Sequence, residues 1–472
     1  MSSKSDPLPP SAGTKRPASE SQRAISPPPL KRKAQPSISK GAVADFFTPT
    51  SQKAKERTTW TERSPDDDSP ATLLVAKYAP EGVGSGPPET ARKRSKIAAF
   101  DLDSTLITTA SGKRHADDPA DWKWWHHCVP GRLQQLYNEE GYQVVIFTNQ
   151  GGLVLHPDPK AKAPKNSKNR VPAFKQKCNA VLSQLGIPIT LYAATGQDIY
   201  RKPRPGMWTE MKDDYDLAES DIDHENSVFV GDAGGRIAEL KAGNTAPKDF
   251  SCSDRNFAHN IGIKFQTPEE FFLGEQPREF ARDFDLANFP FVEQDGEDSA
   301  GLTKANDKDI VLFVGPPGAG KSTFYWKYLK PLGYERVNQD ILKSKDKCFK
   351  AAADLLHAGD SVVVADSLQD NTNADTETRS QWVALAHKHK VPIRCLWFKT
   401  PLQLCEHNAA VRSMNKQLNP ESRQGLPKLA FTGFASRFKE PRIEEGFQDI
   451  VPVEFKFRGT KEEYDIWGRY WL

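Results

Sequence analysis

The run 98-AAFDLDSTLITT-109 leads small and aromatic apolar residues into two aspartates that are one residue apart. Alternate side chains of a strand share a face, so Asp101 and Asp103 are expected to point the same way at the end of an apolar strand. Carboxylates held side by side repel unless something positive or protonated lies between them. A magnesium ion, or a division of labour between nucleophile and acid, supplies that reason. Asp101 could attack phosphorus and carry an aspartyl-phosphate. Asp103 could protonate the leaving oxygen and later activate water. Three more segments follow in order: 147-FTNQGG, 201-RKPRPGMW and 230-VGDAGGR. In them Thr148 and Asn149, with the amides that follow, are candidates to hold phosphate oxygens. Lys202 could neutralise growing charge, and Asp232 could join Asp101 and Asp103 as a magnesium ligand. DxDxT alone is equally a turn or a cap. Four such segments, each after an apolar run, point to phosphoryl chemistry.

A second constellation lies at 310-IVLFVGPPGAGKST. It reads as an apolar strand, a glycine loop and a helix start, and it fits GxxxxGK[ST]. Gly315, Gly318 and Gly320 let backbone N–H groups wrap the phosphates of ATP. Lys321 reaches the β/γ oxygens, and Ser322, with Thr323 beside it, starts the helix and ligates magnesium. Asp340 is a candidate general base and Arg412 a candidate clamp on the transferring phosphoryl group. Both also fit ordinary surface charges.

The elements that must position these groups follow from patterning. Residues 1–65 are rich in Ser, Pro and Lys and have little to bury, so they are expected to be a disordered basic tail. From residue 71 to 291, short apolar runs alternate with helical patterns such as 131-GRLQQLYNEEG. That alternation predicts an α/β fold with a doubly wound parallel sheet. Residues 292–308 read as a linker, and 309–472 as a second doubly wound domain. Phosphate sites in such sheets form beyond the carboxyl ends of the strands.

Charge and cysteine content narrow the classes. Net charge is +3, but residues 1–60 carry +7 and the remainder −4, so any nucleic-acid surface must be local. Lys15-Arg16 and Lys31-Arg32-Lys33 frame a spacer, which reads as a bipartite nuclear import signal or as a solvated basic tail. The six cysteines form no CxxC pair, which argues for a reducing compartment and against structural zinc. No apolar run is long enough for a bilayer span, so no membrane association is expected. The segment 157–177 holds seven basic residues and one acidic residue; it reads as a loop tracking a phosphate backbone or as a solvated loop. The cluster 122-WKWWHH reads as core or as a base-stacking surface.

The four segments around Asp101, Thr148, Lys202 and Asp232 resemble the haloacid dehalogenase phosphatase superfamily. The gaps between them are too short for a large cap domain, which suits a bulky substrate such as a polymer end. With the C-terminal P-loop, the order resembles the polynucleotide kinase 3′-phosphatase family across residues 71–472. The likeness includes 101-DLDSTL, 146-IFTNQGG, 202-KPRPGMW, 230-VGDAGGR, 250-FSCSDR, 268-PEEFF, 315-GPPGAGKS, 371-NTN and 391-VPIRC. The resemblance implies action on DNA ends, and a monomer is expected. The first domain would remove a 3′-phosphate with Mg2+, and the second would phosphorylate a 5′-hydroxyl with ATP and Mg2+. An RNA-end healing enzyme is the rival reading. Two departures stand out. Nothing in residues 1–65 could form the forkhead-associated domain of animal members. The stretch 362-VVVADSLQDNTNAD is longer than the family's pattern, so Asp366 and Asp370 compete for one strand-end role. Within 40-KGAVADFF-47, Val43, Phe46 and Phe47 have a spacing that resembles sliding-clamp docking motifs, with Lys40 where a glutamine is usual.

Overall fold

In the computed structural model, residues 57–81, 93–114, 118–156, 170–241, 244–282, 284–293, 304–338, 342, 344–365, 373–421 and 425–472 are described. The first region supplies β1 (Thr58–Arg63), β2 (Leu73–Tyr78), β3 (Ile97–Phe100), β4 (Ile107–Thr108), β5 (Lys123–Trp124), β6 (Gln143–Asn149), β7 (Ile189–Ala194), β8 (Val228–Val230), β9 (Glu239–Lys241), β10 (Asn244–Ala246) and β11 (Lys264–Gln266). Seven of these form one sheet in the order β1-β2-β7-β6-β3-β8-β11, and β4/β5 and β9/β10 form small ribbons. From β7 to β11 the pairings are parallel, while β1 and β2 add antiparallel strands at one edge.

Burial of both faces explains the unbroken apolar runs. Ile97 and Ala99 point into one layer with Val145, Phe147 and Phe229. Ala98 and Phe100 point into the other with Val144 and Ile146. Helices Val129–Asn138 and Val171–Leu185 cover one face, and Gly206–Asp214 and Ser253–Asn260 the other. Each fully buried Phe or Leu contributes about 1.5–3 kcal/mol of burial energy before entropy is counted. The first of the tryptophans in 122-WKWWHH packs edge-on to Trp124, and Trp125 lies against Phe272. Trp122, Trp124 and Trp125 all border the core, which favours the packing reading.

The expected tail runs too far. Residues 58–63 are β1, paired in register with β2 from Thr58↔Tyr78 to Arg63↔Leu73. Trp60 donates to Asn179 at 3.0 Å, and Arg63 bonds Glu210 and Asp214 at 2.7 and 2.6 Å. These partners lie more than a hundred residues away, so no local pattern announces them.

The second region holds β12 (Ile310–Val314), β13 (Tyr334–Asn338), β14 (Ser361–Ala365), β15 (Ile393–Phe398) and β16 (Ile450–Val453). They form a wholly parallel sheet in the order β13-β14-β12-β15-β16. Both regions are therefore α/β with parallel sheets. In each, the chain leaves a central strand, β3 or β12, whose two neighbours are reached in opposite directions. Such switch points open a crevice at the carboxyl ends. Among the described residues no helix is long and apolar enough to cross a membrane.

All described residues fall in one compact unit. The expected boundary near 292 is preceded by residues that already pack on the second region: Phe284 and Phe289 border a cluster that includes Leu404, Trp467, Tyr470 and Trp471. His407, fully buried there, donates from Nε2 to the Trp467 carbonyl at 2.9 Å. Burial holds its pKa down to about 4, although that hydrogen bond opposes the shift. The unfolded imidazole takes a proton below about 6.5, while the folded one stays neutral. Stability is thus lost as pH falls from about 6.5 to 4, by up to about 3 kcal/mol. Tm measured across that window should fall more steeply for the wild type than for His407→Gln. Parallel curves would contradict the assignment.

Candidate active sites

Asp101 follows β3 directly, and its N–H donates to the Val230 carbonyl at 2.8 Å. That bond fixes the start of the loop against β8, whose own end carries Asp232. Lys202 is buried beside them, with Nζ 2.6 Å from Asp101 Oδ1 and 2.8 Å from Asp254 Oδ1. It also donates to the Phe147 carbonyl at 2.8 Å. Asp254, in the first turn of the helix Ser253–Asn260, was not singled out as a site residue from sequence. Its Oδ2 accepts the Ala233 N–H at 3.0 Å. A Cβ on Gly231 would stand 2.4 Å from that oxygen, so the aspartate reaches the site only because residue 231 has no side chain.

Asp101, Asp232 and Asp254 offer oxygens that all lie within 4.8 Å of one another. Three carboxylates against one ammonium leave excess negative charge in a buried place. Burial first, then the neighbouring carboxylates, push Asp232 upward. Asp101 is also pushed up by burial, with Lys202 opposing and Asp254 adding. Burial alone would lower Lys202, but Asp101 and Asp254 together carry it above its ordinary value. An all-oxygen donor set with surplus negative charge fits a hard divalent cation such as Mg2+.

The Asp103 carboxylate is not one of those three. The strand ends at Phe100 and Ser104 takes a positive φ of 63°, so strand alternation no longer governs residue 103. Its carboxylate, half exposed, accepts from Gln150 Nε2 at 2.7 Å and from Lys177 Nζ at 3.1 Å. The same Gln150 amide donates to Thr148 Oγ1 at 2.9 Å. Thr148 is buried near the end of β6. Asn149 is differently employed. Its amide accepts the Lys202 N–H at 2.9 Å and donates to the Lys202 carbonyl at 3.1 Å, so it fixes the lysine loop rather than facing a phosphate. Residues 157–169 of the basic segment lie outside the described residues, while Lys177 is engaged with Asp103.

The second site follows β12. Gly318 has φ +81°, and a Cβ there would lie 2.4 Å from the Cys405 carbonyl. Glycine is required on both counts. The buried Lys321 donates to the carbonyls of Gly315 and Pro316 at 2.7 and 2.6 Å. Asn373 ties the Phe313 carbonyl at 2.8 Å, and Thr400 the Ala319 carbonyl at 3.3 Å. Ser322 and Thr323 lie in the first turn of the helix that begins at Lys321. Arg412 lies on the helix Leu402–Met414, four residues after Asn408, whose amide donates to the Gly318 carbonyl at 2.9 Å. Residues four apart share a helix face, so Arg412 is on the P-loop side. Asp340, Asp366 and Asp370 lie outside the described residues, as do Val43, Phe46 and Phe47.

A family model described as polynucleotide kinase 3 phosphatase matches residues 96–272, and an AAA domain model matches 310–441. A bifunctional polynucleotide phosphatase/kinase of Schizosaccharomyces pombe is 36% identical over 448 residues, 93% of this chain and 98% of that protein. The chain belongs to the bifunctional polynucleotide phosphatase/kinase family. A putative member from Acanthamoeba polyphaga mimivirus is 31% identical, covering 80% of this chain and 89% of its own. A polynucleotide 3′-phosphatase of Arabidopsis thaliana is 33% identical over 38% of this chain and 24% of its own length.

The chain is thus an enzyme with a phosphatase region and a kinase region, and the two constellations fall one in each. Within the phosphatase region, Asp254→Asn should remove one of the three clustered carboxylates and one of the two carboxylate partners of Lys202. Phosphatase turnover should fall by about a hundredfold, on the scale of losing one preorganised electrostatic contact. Steady-state assays over a magnesium titration check this. Wild-type turnover at limiting magnesium would contradict a role for Asp254 in the cluster.

Proposed function

We propose that this protein repairs DNA ends. It removes 3′-phosphates through an aspartyl-phosphate on Asp101 and phosphorylates 5′-hydroxyls from ATP, leaving ends that can be ligated. The observation that carries the reading is the presence on one chain of two separate phosphate-handling centres: the Lys202-bridged aspartates, and the glycine loop around Lys321.

In the first centre Asp101 attacks phosphorus, and Lys202, held at hydrogen-bond distance, offsets the charge that grows there. Asp103, outside the carboxylate cluster and half exposed, gives its proton to the departing 3′ oxygen and then takes one from the water that attacks the aspartyl-phosphate, which releases inorganic phosphate and restores the Asp101 carboxylate. Gln150 and Lys177 hold its carboxylate in place meanwhile. Asp101, Asp232 and Asp254 would hold magnesium, which would supply positive charge to offset that of the phosphate. In the second centre the loop amides and Lys321 hold the ATP phosphates, Ser322 provides a hydroxyl ligand for magnesium, Arg412 steadies the transferring group, and Asp340 accepts the 5′-hydroxyl proton.

The small β4/β5 ribbon and the helix Val129–Asn138 are the elements that occupy the described chain between Asp103 and Thr148. With so little there to cover the site, an extended polymer end has room to enter. The basic clusters at Lys15-Arg16 and Lys31-Arg32-Lys33 support a nuclear location, and Val43, Phe46 and Phe47 support docking on a sliding clamp. A peptide of residues 35–55 titrated against the clamp tests the last point; absence of binding at high micromolar concentration removes it. Substrate class is decided with matched DNA and RNA oligonucleotides bearing 3′-phosphate and 5′-hydroxyl ends. Higher kcat/KM on DNA in both reactions is expected. A preference for RNA would overturn the DNA reading.

A further inference from the structure

The last residues of the chain are linked by hydrogen bonds to the loops of both centres. Tyr470 N–H donates to Asn260 Oδ1 at 2.8 Å, and Asn260 Nδ2 donates back to the Tyr470 carbonyl at 2.7 Å. The same Nδ2 donates to the carbonyl of Pro203 at 2.8 Å, one residue beyond Lys202. Arg204, next in that loop, donates from Nε to the Trp471 carbonyl at 3.0 Å and from Nη1 to the Asp198 carbonyl at 2.7 Å. Toward the other centre, Trp467 Nε1 donates to Asn408 Oδ1 at 2.7 Å, and Asn408 Nδ2 reaches the Gly318 carbonyl of the P-loop. Trp471 Nε1 folds back onto the Ile466 carbonyl at 3.0 Å, which locks the segment upon itself. Trp467, Tyr470 and Trp471 are each at most 5% exposed. The ring of Tyr470 lies 5.2 Å from that of His259 and is covered by the Arg282 guanidinium at 4.9 Å.

We propose that Ile466–Trp471 is a shared positioning element for both active sites: Asn260 carries its hold to the Lys202 loop, and Asn408 carries it to the P-loop. The proposal rests on the two activities read above. Its physical basis is the short reach of the charges concerned. Lys202 serves only while Nζ stays at hydrogen-bond distance from both aspartates, and the P-loop binds phosphate only while its amides converge. A displacement of the order of 1 Å at such a point costs up to about a hundredfold in rate. Each asparagine amide joins the segment to a loop carbonyl, so each fixes one loop without touching substrate.

The test is a comparison of both activities on one batch of each variant, with Tm measured alongside. Asn260→Ala should lower phosphatase kcat about tenfold, leave its KM within about twofold, and leave the kinase constants at wild type. Asn408→Ala should do the reverse, raising KM for ATP and lowering kinase kcat about tenfold while the phosphatase is unchanged. Deletion of Tyr470–Leu472 should lower the phosphatase, although those residues follow the kinase region in sequence. A merely structural role lowers both activities in proportion, through a smaller folded fraction. Proportional loss in the two asparagine variants, or no change in either, would overturn the proposal. A wild-type protein inactive on 3′-phosphate or 5′-hydroxyl ends would instead overturn the functional reading beneath it.

Discussion

Asp101→Asn is expected to lose 3′-phosphate removal by several orders of magnitude while 5′ phosphorylation continues at the wild-type rate. An amide cannot serve as the nucleophile that a carboxylate does. The fold should tolerate the change. Lys202 keeps Asp254 at 2.8 Å and the Phe147 carbonyl at 2.8 Å, so its charge stays paired. The substitution also removes one member of a crowded, buried carboxylate group, so Tm without added metal should hold or rise. Both activities and Tm are measured on the same preparation. Wild-type phosphatase turnover in the variant would contradict the covalent mechanism.

Lys321→Ala should produce the mirror image. The ammonium that lies between the Gly315 and Pro316 carbonyls is the one proposed to hold the ATP phosphates. Its loss should cut kinase kcat/KM by at least about a hundredfold. Two loop carbonyls also lose their donor, so Lys321→Met, which keeps most of the buried volume, is the companion variant; it should lose activity to the same extent if charge is what matters. The phosphatase should be unaffected by either, because the C-terminal segment that joins the two loops is left intact. Loss of both activities in a folded Lys321→Met protein would point to one shared centre.

The positions of the two centres were legible because each begins with a local signal. The runs before Asp101, Thr148, Asp232 and Gly315 are apolar at every step, and β3, β6, β8 and β12 are buried there on both faces. What stayed hidden depends on long-range contacts. Asp254 follows no strand; it enters the first site from a helix start, past a glycine 23 residues earlier, and the run 250-FSCSDR carried only a resemblance. The side-chain partners of Asp103 and Asn149 are equally invisible in the neighbouring sequence: Lys177 and Gln150 for the first, the Lys202 backbone for the second. β1 reads as tail because its alternation is short and the side-chain partners of Trp60 and Arg63 are distant. The closing WGRYW looks like aromatic core, and its link to two active-site loops runs largely through main-chain groups that no residue type reveals.

The most direct measurement uses one oligonucleotide duplex with a nick that carries both a 3′-phosphate and a 5′-hydroxyl, incubated with ATP and Mg2+ and read by mass spectrometry of each strand. Wild-type protein should convert both ends. Asp101→Asn should yield only the 5′-phosphorylated product with its 3′-phosphate retained, and Lys321→Ala only the dephosphorylated 3′ end with its 5′-hydroxyl retained. Conversion of neither end by the wild type, or both conversions lost together in either folded variant, would contradict two separate phosphate-handling centres on this chain.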